Sequence, residues 1–290
     1  MQHRTFPSKL LLFGEYSLLK GSDALAIPFH GMSGRWQYFD MEPDERLMQW
    51  VIKMQMDGMD DFMDLNRMKS EVLDGLRFDS DIPPGFGLGS SGALCAAVYH
   101  RFHRNTEEIP LVALQSHLAS LEGFFHQKSS GIDPLVSYLN VPVLLKDKKW
   151  QPIPDIAQGQ MLSHFFLLNS GISRATAPLV TQFHQMMKNA VFNGSFNMKL
   201  IPYTNRAIAC FINGEKQALF EELSRIQLWQ MKYFAPMIPD RMMVLYEMAI
   251  REDFFKLKFC GAGGGGYFLG MSTDIEETKM ALGNWDLVWL

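Results

Sequence analysis

Pro83 and Pro84 stand directly before a glycine-rich run, GFGLGSSGA (85–93), which opens an alanine-rich helical pattern at 92–104. Gly87, Gly89 and Gly92 satisfy the G-x-G-x-x-G spacing of a dinucleotide-binding turn, but that turn has to follow a buried strand and start a helix. RFDSDIPP, the stretch before it, is too polar and too rich in proline for a central parallel strand. A second match, Gly261, Gly263 and Gly266 in CGAGGGGYFL, follows a strand-like FFKLKF but runs into another strand-like segment, YFLGM, so it opens no helix. Neither loop is a dinucleotide turn, and with no Gly-Lys dipeptide the chain has no Walker loop either.

The remaining pattern is mixed. KLLLF (9–13), ALAIPF (24–29) and WQYFD (36–40) read as three strands. Apolar residues at three-to-four-residue spacing predict helix from Asp44 to Gly75, and residues 111–126 read as another. VPVLL (141–145) and HFFLLN (164–169) are strand candidates; the chain is then mainly helical until FFKLKF (254–259), YFLGM (267–271), a helix at 274–282 and a last strand, WDLVWL. Steady βαβ alternation is missing, which predicts α+β rather than a doubly wound sheet. QPIPDIAQGQ (151–160) is the expected junction between two domains, 1–155 and 156–290.

At 290 residues, 47% hydrophobic and 20% charged, the chain has the make-up of an ordinary globular protein with a sizeable core. A net charge of −4 gives no support for nucleic-acid or anionic-membrane binding. The apolar run LLLF before Gly14 is too short for a signal-peptide core, and no segment approaches a membrane span, so a cytoplasmic protein is expected. Cys95, Cys210 and Cys260 are odd in number and widely spaced, which predicts buried reduced thiols and no zinc site.

The first glycine loop has two readings. Backbone N–H groups converging at a helix start favour an anion, and Ser90 and Ser91 add hydroxyls that can grip a di- or triphosphate. Equally, serine is a preferred helix cap. Four glycines within 85–92 weigh toward the ligand, since each has an entropic cost unless a bare backbone is needed.

Three segments together carry a resemblance. KLLLFGEYSLLKGSDALA (9–26), PPGFGLGSSGA (83–93) and KFCGAGGGGYFLG (258–270) resemble, in order, the three motifs of the GHMP kinases, the superfamily of galactokinase, homoserine kinase, mevalonate kinase and phosphomevalonate kinase. EGFFHQKSSGID is similar to the mevalonate kinase stretch E-x-x-x-H-G-x-P-S-G-x-D, matching Glu122, His126, Ser130, Gly131 and Asp133; NSGISRAT resembles N-T-K-x-P-R-x-T. The resemblance implies a two-domain α+β fold, ribosomal-protein-S5-domain-2-like in its first half and ferredoxin-like in its second. It also implies ATP-dependent phosphorylation of a small-molecule alcohol, with mevalonate the expected acceptor and phosphomevalonate the alternative, by a monomer or homodimer.

Residue by residue, the resemblance implies an ATP cradle of Gly85, Gly87, Leu88, Gly89, Ser90, Ser91 and Gly92, supported by Gly261, Ala262, Gly263 and Gly264. It puts Ser91 and Glu122 on magnesium, Asp133 as the base that accepts the acceptor's proton, and Lys9 beside it. Glu15, Ser130, Gly131, Arg174 and Thr176 fall near the acceptor. Each has a plainer reading: Glu122 as a solvated helix residue, Asp133 before Pro134 as a helix cap, Lys9 as an exposed strand start, and Arg174 as the partner of a local carboxylate. Tyr16 departs from the histidine usual in mevalonate kinases, Gly92 and Phe86 replace small alanines, and Ser129 stands for proline. A non-catalytic, ligand-binding relative is the reading from a different class.

Overall fold

The computed structural model describes residues 4–104, 108–125, 129–154 and 161–290. The predicted junction at 151–160 lies partly outside the described residues. The chain divides into two compact units. One comprises Met1–Lys9, Pro28–Pro83 and Gly89–Val141; the other comprises Leu10–Ile27, Pro84–Leu88 and Pro142–Leu290.

In the first unit the sheet element is antiparallel. Strand β1 is Phe6–Phe13 and β2 is Ala24–Tyr38; the far half of β2 pairs with β3 (Leu76–Ser80) from Gly34↔Ser80 to Tyr38↔Leu76. The separate strand predicted at 36–40 is thus the end of β2, which runs straight through Pro28. The long helix predicted from Asp44 to Gly75 is two helices, α1 (Glu45–Met56) and α2 (Leu65–Leu73). Gly58, left-handed at φ 71°, ends the first, and a side-chain cap from Asp64 to the Arg67 amide (3.1 Å) starts the second. Trp50, Val51 and Met54 of α1 and Met68 and Val72 of α2 are buried.

Three further helices complete this unit: α3 (Ser90–Phe102), α4 (Leu111–Glu122) and α5 (Ile132–Leu139). The alanines of α3 let another backbone come close. A Cβ on Gly92 would lie 2.8 Å from the carbonyl carbon of Asp133, so the first turns of α3 and α5 touch main chain to main chain. Gly131, left-handed at φ 71° just before α5, has the Gln115 carbonyl 2.4 Å from where a Cβ would sit.

The second unit holds two pairings. The near end of β2 pairs with β4 (Val143–Lys146), and β4 makes a hairpin with β5 (Lys149–Pro152). A second, antiparallel sheet is formed by β6 (Phe165–Asn169), β7 (Phe255–Phe259), β8 (Tyr267–Ser272) and β9 (Leu287–Trp289), in the order β7-β8-β6-β9. Helices α6 (Thr176–Met186), α7 (Ala190–Ser195), α8 (Ile201–Asn213), α9 (Lys216–Tyr233) and α10 (Asp240–Arg251) separate β6 from β7, and α11 (Ile275–Ala281) separates β8 from β9. Collapsing the helical insert gives βαββαβ, the ferredoxin-like arrangement expected for the second half.

Strand β7 is an edge strand, and edge N–H groups need partners. Two buried glutamines of α9 supply them: Gln227 Oε1 accepts from the Leu257 amide at 2.7 Å, and Gln230 Oε1 from the Phe259 amide at 3.2 Å. This fixes the strand from which the second glycine loop departs.

Candidate active site

Four predicted residues of the first unit converge. Lys9 leaves β1 with its side chain 10% exposed, and its Nζ lies 2.7 Å from Asp133 Oδ1. Asp133 is the second residue of α5; Gly131 occupies the cap position and no side chain caps the helix, so the capping role considered for Asp133 is not the one it has. Its carboxylate, 35% exposed, is given to the lysine instead.

Glu122 ends α4 and is 5% exposed, so it is no solvated surface residue. Its Oε1 accepts from Ser91 Oγ at 3.4 Å, and its Oε2 accepts from Ser129 Oγ. Burial, then the nearby Asp133 charge, push its pKa up to about 7, against the opposing pull of Ser129, Lys9 and Ser91. The pull of Lys9 and the two serines does not offset burial and the Asp133 charge.

Helix α3 begins at Ser90 behind Gly89, left-handed at φ 73°, and no side chain caps it. The serine-cap reading therefore fails: glycine holds the cap position, and Ser91 turns its hydroxyl to Glu122. A Cβ at Gly89 would sit 3.4 Å from Lys9 Cβ and 3.5 Å from Asp133 Oδ2, so the uncapped helix start borders the ion pair directly. Ser130 gives its carbonyl to Gln115 (2.8 Å), and the Gly131 amide donates to Ser129 Oγ (2.9 Å). His126 and Lys128 lie outside the described residues.

The other predicted residues belong to the second unit. Gly85 and Gly87 are left-handed at φ 82° and 84°, and both abut Arg174. The Gly85 carbonyl accepts from the Arg174 amide at 3.3 Å, and a Cβ at Gly87 would stand 2.7 Å from Arg174 Nη2. The same Nη2 donates to the Cys260 carbonyl (3.4 Å) and would stand 2.8 Å from a Cβ at Gly261, while Nη1 donates to Thr176 Oγ1 (3.0 Å). Arg174 thus fills the space between the two glycine loops. Among the described residues its Nε is buried without a partner, and burial lowers its pKa.

The second loop backs the first at another point, where a Cβ at Gly266 would meet the Phe86 carbonyl at 2.6 Å. Gly263 and Gly264 pack on Met237 and Leu179, and the Ala262 carbonyl accepts from the Tyr16 hydroxyl at 2.8 Å. Tyr16 itself is left-handed at φ 57°, a costly conformation for a side-chain-bearing residue, and burial pushes its pKa to about 12. Leu88 is buried.

Glu15 is paired with Lys258, both buried, so its carboxylate is engaged within the fold. Sequence reasoning named neither Lys258 nor Ser129 as a functional residue. Lys258 begins the third motif, KFCGAGGGG, which was its available signal; nothing in the sequence marked Ser129 as the partner of Glu122. The three cysteines are buried, as expected.

Residues 58–140 match the GHMP kinases N terminal domain family. No curated protein matches the chain. Solved structures do. The mevalonate kinase of Methanococcus jannaschii is similar with a TM-score of 0.66 at 15% identity, over 99% of this chain and 97% of that one. The phosphomevalonate kinase of Streptococcus pneumoniae, in complex with phosphomevalonate and AMPPNP, gives 0.68 at 15% over 100% of both. The galactokinase of Lactococcus lactis, complexed with galactose, gives 0.64 at 14% over 98% and 92%. Residues 58–140 are thus similar to the N-terminal domain of the GHMP kinases, and the chain as a whole shares its fold with these three solved kinases.

Proposed function

We propose that the protein is an ATP-dependent kinase that phosphorylates the hydroxyl of a small acidic alcohol, with mevalonate as the acceptor. The observation that carries this reading is the Lys9–Asp133 pair lying against Gly89 at the start of α3. Phosphoryl transfer asks a protein for positioning and charge stabilisation, with a group to take the acceptor's proton. Amides at 90–92 and the loop amides before them offer donors for phosphate oxygens. Asp133 accepts the hydroxyl proton, while Lys9 pairs with that carboxylate and offsets negative charge developing beside it.

The residues present fit magnesium. A buried carboxylate and a hydroxyl 3.4 Å from it form an all-oxygen donor set. Magnesium binds through one or two carboxylates together with substrate phosphates, so Glu122 and Ser91 suffice as protein ligands. When bound, the ion neutralises charge on the nucleotide's terminal phosphates.

Arg174, whose Nε is buried without a partner among the described residues, and Thr176 beside it are proposed to meet an acidic acceptor. Phosphomevalonate is the second reading, favoured by Tyr16 after Gly14-Glu15, a sequence commoner among phosphomevalonate kinases. Release of ADP in the presence of magnesium, measured with mevalonate, phosphomevalonate, galactose and homoserine, tests the assignment. Turnover with mevalonate above the other three is the expected result. ATP binding without turnover on any of them would make the protein a ligand-binding relative.

A further inference from the structure

A cavity of about 840 Å³ in the first unit lies well away from the glycine loop. Arg101, on its wall, is ten residues beyond Ser91 on α3, or ~15 Å along the helix. Four guanidiniums line it: Arg4, Arg35, Arg67 and Arg101, with His100 among them. The apolar part of the lining is Phe6, Trp36, Leu76 and Tyr38, the last with 53% of its surface exposed.

The arginines are held but not neutralised. Arg67 Nε (2.8 Å) and Arg101 Nε (2.5 Å) share one carboxylate, Glu71. Arg67 Nη1 also donates to the Arg101 carbonyl (3.2 Å), and Arg101 Nη2 to the Tyr38 hydroxyl (3.3 Å). Arg35 has Asp79 at 3.9 Å. Arg4 has no carboxylate partner among the described residues; it is braced by the Tyr138 carbonyl and the rings of Phe6 and Tyr138. Four positive charges thus face two negative ones in a chain whose net charge is −4. Each guanidinium carries five N–H donors, and the contacts named use at most two of them on any one residue. Partly occupied guanidinium forks held in place by their neighbours are suited to bidentate contact with phosphate oxygens.

We propose that this cavity is a second binding site, distinct from the kinase site, for an organic phosphate whose body carries a planar ring. The phosphate is held by Arg4, Arg35, Arg67 and Arg101, and the ring lies against Tyr38 and its apolar neighbours. The volume suits a ligand of that size, since small-molecule sites run from roughly 300 to 1,000 Å³. His100 gives a local reporter: burial, then the charges of Arg4 and Arg101, lower its pKa, and a bound anion offsets both charges.

The test uses the full chain with magnesium and excess AMPPNP, so that the glycine loop is filled before the second site is probed. AMP, adenosine and inorganic pyrophosphate are titrated in turn by calorimetry, and the His100 ring signals are followed by NMR. The expected result is AMP binding with an upward shift of the His100 titration, at least tenfold tighter than adenosine or pyrophosphate. Arg35→Glu is expected to weaken AMP at least tenfold, and the milder Arg35→Gln to weaken it in the same direction while leaving the fold intact. Pyrophosphate binding as tightly as AMP would overturn the ring-bearing ligand. Absence of AMP binding, or binding that both variants leave unchanged, would overturn the site. Failure of AMPPNP itself to bind would strike the kinase reading instead, and the AMP titration would still decide this one.

Discussion

Lys9 Nζ and Asp133 Oδ1 lie 2.7 Å apart, with the lysine enclosed and the carboxylate about a third open to solvent. The asymmetry matters chemically. A cation that cannot be shared with bulk water stays on the aspartate, while the aspartate keeps an accessible side for a proton from an incoming alcohol.

Replacing Asp133 with asparagine is therefore expected to lower turnover at least about a hundredfold while leaving ATP affinity within a few-fold of wild type. Single-turnover kinetics beside nucleotide titration measure the two separately. Near-normal turnover would mean that another group takes the proton.

Glu122→Gln keeps the size of the side chain and removes the charge offered to a cation. Turnover at limiting magnesium is expected to fall at least tenfold and to recover partly at high magnesium, and Ser91→Ala is expected to act in the same direction more weakly. Stripping divalent ions with a chelator is expected to abolish transfer in all three proteins. An unchanged magnesium dependence in Glu122→Gln would remove that carboxylate from the metal site.

Gly92 stands where the motif it resembles has alanine, and the backbone packed against it leaves no room for one. The Cβ of an alanine would meet the Asp133 carbonyl carbon at 2.8 Å and Pro134 N at 2.9 Å, both backbone atoms that cannot swing aside. Gly92→Ala is expected to cost about 1–3 kcal/mol, seen as a fall of several degrees in Tm, and to depress turnover by displacing Asp133. Unchanged Tm and activity would show that the two helix starts separate easily.

His117 stacks on Phe62 (4.1 Å between ring centres), with its Nδ1 3.2 Å from the Tyr99 hydroxyl, and burial lowers its pKa below the ordinary 6.5. The unfolded chain then binds the proton first, so the contribution of this residue is complete above about pH 6.5 and is lost as pH falls below it. Glu122, with its pKa raised, works in the opposite sense, so the difference between wild type and His117→Phe isolates the histidine. Denaturant unfolding between pH 7.5 and 5.5 is expected to show the variant gaining on wild type as the solution becomes acidic. A pH-independent difference would contradict the sign.

What the sequence disclosed and what it hid divide along physical lines. The glycine loops were legible because bare backbone is rare and leaves a pattern, and β6, β7 and β8 because apolar runs bounded by turns have few other uses. Strand β5 was missed: its hairpin turns at Asp147 and Lys148, left-handed at φ 50° and 63°, with neither glycine nor asparagine to announce it. The continuity of β2 was hidden by Pro28, which lacks a ladder donor and reads as a stop. The pairing of Glu15 with Lys258 joins residues 243 positions apart, and no local pattern records it. Which way the carboxylates at 122 and 133 point depends on how α4 and α5 pack, information that spacing alone does not carry.

The bare start of α3 makes the ligand the missing cap. Gly89 at the cap position has no side chain to offer the first turn, so phosphate oxygens binding there would take that place, and hydrogen exchange at 90–92 is expected to report their arrival. Nucleotide would slow that exchange locally and leave the far turns of the same helix as they were.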